Sequence, residues 1–155
     1  MRATRLNHVS IHAVDMEESL RFYIEVFGME HVPSPDFEQR VEWLAFGNQQ
    51  LHLFMHDTPA PEFHHLSLEV DEFEAVYVIV RELGRLDDQT FAPTVRELGD
   101  GSVQMYLRDP AGNLVEVDWP DVNSLDRSIV TDIRKLSDER PQSARAQQAR
   151  LFLKR

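Results

Sequence analysis

Apolar and polar positions change period twice in the first quarter of the chain. From Leu6 to Ala13 they alternate, with Val9, Ile11 and Ala13 on one face and His8, Ser10 and His12 on the other, which predicts a half-buried strand. The period then lengthens: Met16, Leu20, Tyr23 and Phe27 recur at helical spacing, an apolar stripe suited to packing on a sheet. Asp15 can cap that helix, Glu18 completes a capping-box-like pair three residues later, and Gly28 stands where a left-handed C-terminal residue is wanted. Short strands are expected near 29–33, 40–46 and 49–55, separated by Pro33, Pro35 and the Gly47-Asn48 turn.

The same order returns. His65, Ser67 and Glu69 alternate with Leu66, Leu68 and Val70; Val76, Val80 and Leu83 mark a helix over about 73–83 before Gly84. Strands follow near 92–97, 102–108 and 113–118, the last two joined by Asp109-Pro110-Ala111-Gly112-Asn113. Laying HVSIHAVDMEES over HLSLEVDEFEAV aligns the two strand-to-helix junctions at an offset of 57 residues, an internal βαβββ repeat. The expected class is α+β: two tandem βαβββ modules forming a curved, eight-stranded sheet cup with helices outside and polar residues lining it. Residues 1–123 would be one domain, with modules over about 5–57 and 62–119, and 124–155 a helical C-terminal extension. In that extension Ser124 can cap a helix whose stripe is Leu125, Ile129, Ile133 and Leu136, with Pro141 ending it before a second stretch that closes on Leu151-Phe152-Leu153.

Parity puts His8 and His65 inside the cup. His52 and Glu116 occupy matching places in the last strand of each module, four residues after Asn48 and Gly112, and also face inward. Four side chains capable of metal or proton chemistry therefore converge, and two His with one carboxylate (His8, His65, Glu116) form a set that divalent first-row metals favour while leaving positions open. A lone strand His is more often a hydrogen-bonded structural residue; it is the repeat-equivalent placement that singles these out. His64 has the opposite parity to His65, His12 shares the inner face, either contacting substrate or at the rim, and His31 and His56 read as surface residues. Trp43, Phe54, Phe63 and Trp119 are candidate aromatic lining.

Composition narrows the classes. A net charge of −11 with no run of Lys and Arg argues against nucleic acid. No long apolar run predicts a membrane span and the first residues lack a secretory pattern, so a cytoplasmic protein is expected. With no Cys, any metal must take nitrogen and oxygen ligands. Charge is uneven: residues 124–155 hold 8 basic and 4 acidic side chains against 8 and 23 in residues 1–123, a tail of +4 on a body of −15.

NHVSIHAVDMEESLRFYIEVFGME resembles the opening module, and YLRDPAGNLVEV the closing strand pair, of the vicinal oxygen chelate superfamily, which holds glyoxalases, bleomycin-resistance proteins and extradiol dioxygenases. The resemblance covers about residues 5–119. Within it the motif Tyr106, Asp109, Pro110, Gly112, Glu116, with the His64-His65 pair, is similar to type I extradiol dioxygenases. That likeness implies an Fe(II) enzyme cleaving a catechol-like substrate, with His8, His65 and Glu116 as ligands, His52 as acid/base and Tyr106 hydrogen-bonding substrate or oxygen. One divalent ion is implied, Fe(II) first, with Mn, Zn or Ni as alternatives. A glyoxalase I-type lyase or epimerase working through a metal-chelated enediolate is the alternative, although His52 stands where that chemistry has a first-module Glu. A third reading is a non-catalytic small-molecule binding or resistance protein. Superfamily members commonly pair, so a homodimer is the expected partner, with the basic tail either packed on its own domain or crossing to the second chain.

Overall fold

The computed structural model describes Arg2, residues 5–91 and residues 94–152. The chain divides into two compact units, Met1–His64 with Arg108–Leu114, and His65–Leu107 with Val115–Arg155.

In the first unit β1 (His8–Ala13) leads through α1 (Met16–Phe27) to β2 (Glu30–Val32), β3 (Val41–Phe46) and β4 (Gln49–Met55). The strand order is β1-β4-β3-β2, with β1 parallel to β4 and β3 antiparallel to both β2 and β4. Two local signals act as expected at α1. The Asp15 side chain accepts the Glu18 N–H at 2.9 Å, a cap worth about 0.5–2 kcal/mol, and Gly28 closes the helix in the left-handed region at φ 60°. Leu44, Leu51, Leu53 and Tyr23 are all but fully buried, and each apolar side chain of this size contributes about 1.5–3 kcal/mol. Pairing of Val9 with Leu51 and Ile11 with Leu53 sets the sheet's apolar face, and the next register, Ser10 with His52, sets its polar one.

The second unit runs β5 (His65–Glu69), α2 (Phe73–Glu82), β6 (Val95–Glu97), β7 (Val103–Arg108), β8 (Leu114–Trp119) and β9 (Ile133–Lys135), in the order β5-β8-β7-β6-β9. The repeat is therefore present, His65 opening β5 as His8 opens β1, and α2 starting 57 residues after α1. All eight expected strands form, and with the added β9 they make hydrogen-bonded sheets of four and five strands. Of the strand expected near 92–97, Ala92 and Pro93 lie outside the described residues.

The tail departs from expectation. Instead of a long helix it holds a 3-10 turn at Val122–Ser124, the strand β9, one four-residue helix, α3 (Leu136–Glu139), and a second 3-10 turn at Ala146–Gln148. Two physical reasons are visible. Asp126 takes the backbone N–H and hydroxyl of Ser128, offering the chain a turn in place of a helix. The β-branched Ile133 then pairs with Val95 in a parallel ladder on the β6 edge. Leu125, the one buried member of the expected stripe, and Val130, which lies outside it, carry the burial, at 6% and 0% exposure. Tyr77 on α2 donates to Asp132 at 2.8 Å, and Asp100 accepts the Leu151 N–H at 2.9 Å, fastening the tail to its own unit. Leu153 lies outside the described residues.

Candidate metal-binding and proton-transfer site

In the first unit the polar face of β1, β4 and β3 builds a stack of rings. His52, 7% exposed, lies between His8 (centroids 4.2 Å apart, planes at 14°) and Trp43 (4.5 Å, 7°). The pairing of Trp43 and of Ser10 with His52 explains the sandwich, because cross-strand neighbours on one face come within side-chain contact. His52 Nε2 donates to Gln50 Oε1 at 2.9 Å, which leaves Nδ1 as the lone-pair nitrogen. Burial, and then the neighbouring His8, hold the His52 imidazole below its ordinary pKa, so it is neutral at pH 7. His8 is exposed, its Nδ1 3.0 Å from the Asn7 side-chain oxygen.

In the second unit β5, β7 and β8 bring His65, Gln104, Tyr106 and Glu116 together. His65 Nε2 lies 3.2 Å from Glu116 Oε2, and Glu116 is 4% exposed. Gln104 on β7 donates its amide to Glu116 Oε1, and the Tyr106 hydroxyl also bonds this carboxyl. Burial first, then Glu116, pushes the Tyr106 phenol far above its ordinary range. Phe91 packs against both Tyr106 (5.0 Å) and His65 (5.8 Å), so the pair has an aromatic wall on one side. Two residues beyond Glu116, Asp118 accepts from the Ser67 hydroxyl; burial is the main cause pushing its carboxyl up to about 7.

Of the expected ligands, His65 and Glu116 are neighbours in one unit, and His8 stands at the repeat-equivalent strand position of the other. Among the described residues no group of three or more His, Asp or Glu side chains is placed to hold a metal. The donor chemistry nevertheless suits a divalent first-row ion: imidazole and carboxyl groups, a buried Glu116 with one oxygen toward an imidazole, and no thiolate. The remaining histidines fall largely as parity suggests. His31 pairs with Glu42 at 2.9 Å, His56 bonds Thr58, His64 is exposed, and His12 stacks on His56. Two aromatic expectations are corrected. Trp119 packs on Phe73 and donates to the Ser124 hydroxyl, because it shares the parity of Val115 and Val117 rather than of Glu116; Phe63 is 55% exposed. Gln50, Phe91 and Gln104 escape a search for ionisable motifs, though the parity Gln104 shares with Tyr106 signals it.

Among the described residues no helix is long and apolar enough to cross a membrane. The chain is 28% identical over 131 residues to the methylmalonyl-CoA epimerase of Homo sapiens, named as mitochondrial, covering 74% of this chain and 73% of that protein. It is 26% identical over 129 residues to Glyoxylase I 4 of Arabidopsis thaliana, covering 76% and 71%. A solved lactoylglutathione lyase from Agrobacterium tumefaciens shares the fold with a TM-score of 0.59 at 22% identity, over 81% of this chain and all of that one. With the family profile matching residues 5–117, the chain belongs to the Glyoxalase/Bleomycin resistance protein/Dioxygenase superfamily.

Proposed function

We propose that this protein is a metal-dependent carbon-acid enzyme, an epimerase or glyoxalase-type lyase that moves a proton on a carbon next to a carbonyl. The observation that carries the reading is the buried Glu116 with Oε2 toward His65, at the position the repeat matches to His52. His8, His65 and Glu116 are the proposed ligands of one divalent ion. Bound there, the ion would supply Lewis-acid charge to the substrate's carbonyl oxygen, a role that Zn, Mn, Ni or Fe(II) can fill without redox chemistry.

The chain's own groups do the rest. His52, neutral at pH 7 and with Nε2 committed to Gln50, offers Nδ1 to accept the proton and return it. Trp43 and His8 clamp its ring so that little reorientation accompanies the transfer. Tyr106 is turned onto Glu116 and serves the carboxyl rather than the substrate in this state. The relatives named as an epimerase and a glyoxalase support carbon-acid chemistry over the ring cleavage that the Tyr106 to Glu116 motif suggests, and a thioester or hemithioacetal is the substrate class. A small-molecule substrate and a homodimer complete the reading.

The test uses purified protein in D2O with methylmalonyl-CoA and, separately, a glutathione hemithioacetal, following deuterium at the carbon next to the carbonyl by NMR. Metal-dependent exchange, lost in His65→Ala, is expected. Oxygen uptake with catechols and no exchange on either compound would return the assignment to ring cleavage.

A further inference from the structure

The two oxygens of Glu116 meet different partners. Oε2 lies beside His65 Nε2 at 3.2 Å, while Oε1 accepts the side-chain amide of Gln104, which reaches it from β7. Tyr106, on the same face of β7, adds its hydroxyl. The terminal torsion of a Glu side chain is broad and soft, so the direction in which each oxygen points is decided by such partners and not by the chain itself. Gln104 also suits the task chemically, donating an N–H without bringing a cation that would compete with a metal for the carboxyl.

We propose that Gln104 is a positioning residue: it occupies Glu116 Oε1 so that Oε2 alone, beside His65, is presented to the metal. The inference rests on the ligand set of the preceding section and adds a residue to which no chemistry attaches otherwise. Without the amide, Oε1 is a buried acceptor lacking that partner, and the carboxyl is free to turn both oxygens, or neither, toward the ion. Partners that orient ligands in this way typically contribute about 10–100-fold to metal affinity.

Mn(II) alone is the probe, titrated into the metal-free full-length protein with the free ion followed by electron paramagnetic resonance. Gln104→Leu and the more nearly isosteric Gln104→Met are expected to bind Mn(II) about 10–100-fold more weakly than the wild type. Val130→Ala, a buried change in the tail, serves as the control for lost stability and should leave affinity unchanged. Equal affinity in wild type and both Gln104 variants overturns the inference while sparing the ligand set. A matching loss in Val130→Ala also overturns it, since the effect would then be one of general stability. If the wild type takes up no Mn(II), the ligand set itself falls and the role of Gln104 with it.

Discussion

Replacing Tyr23 by Phe removes one hydroxyl and leaves every carbon in place, which isolates a single buried interaction. Tyr23, fully buried on α1, donates to Asp109 Oδ2 at 3.0 Å. Asp109 is 1% exposed and also accepts from Ala111 N, Asn113 N and Asn113 Nδ2 at 2.8–2.9 Å. A hydrogen bond to a charged group contributes about 1.5–3 kcal/mol, and since three donors remain the expected loss at pH 8 is about 2 kcal/mol. For a chain of this size that is a drop of roughly 4–8 °C in melting temperature. The loss must also depend on pH. Burial raises the Asp109 pKa despite its donors, so its contribution to stability is full below the ordinary carboxylate range and is lost as pH rises through the raised folded value. Tyr23 is one of the groups holding that value down, so the variant moves it further up and loses more stability than the wild type as pH increases. Urea unfolding at pH 4.5 and pH 8 measures both quantities. A loss below about 0.5 kcal/mol at pH 8, or one that is the same at both pH values, would refute the reasoning.

Elemental analysis of purified protein should find about one divalent ion per chain, and undiminished metal in all of His8→Ala, His65→Ala and Glu116→Ala would reject the ligand set. His52→Ala should keep the metal and lose turnover by about 100-fold or more; loss of metal instead would make His52 a fourth ligand. Val130→Ala should cost about 2 kcal/mol and Ile129→Ala less than about 1 kcal/mol, the reverse of what a helical stripe through Ile129 requires, and paired urea curves decide it. Sedimentation equilibrium should return twice the 18.0 kDa chain mass; a monomer at micromolar concentration would reject the homodimer.

The repeat was legible because strand parity and helix spacing are local properties, and His8, His65, His52 and Glu116 could be singled out by position alone. Trp119 shows that parity had to be applied without exception: its indole follows Val115 and Val117 onto the apolar face and serves Phe73 and Ser124. Gln104 stayed hidden because an amide belongs to no catalytic motif, and only its contact with Glu116 gives it meaning. Phe91 sits in a loop, where no periodicity assigns a direction to a side chain. The tail misled for a different reason. Leu125, Ile129, Ile133 and Leu136 do fit a helix, but Asp126, Ser128 and an open sheet edge compete for the same backbone groups, and the last of these is a tertiary fact.

Strand β9 also has a protective consequence. Without it β6 would be the edge of a four-stranded sheet, its backbone groups unpaired, the kind of template on which foreign chains polymerise. Only three residues long, with Arg134 exposed and Lys135 paired to Glu97 at 3.2 Å, β9 replaces that edge with a short, charged one that recruits poorly. Proteolysis in the exposed Asp126–Ser128 turn would therefore do more than shorten the chain. The clipped product should be the species that precipitates on storage, with a lag that shortens as its concentration rises.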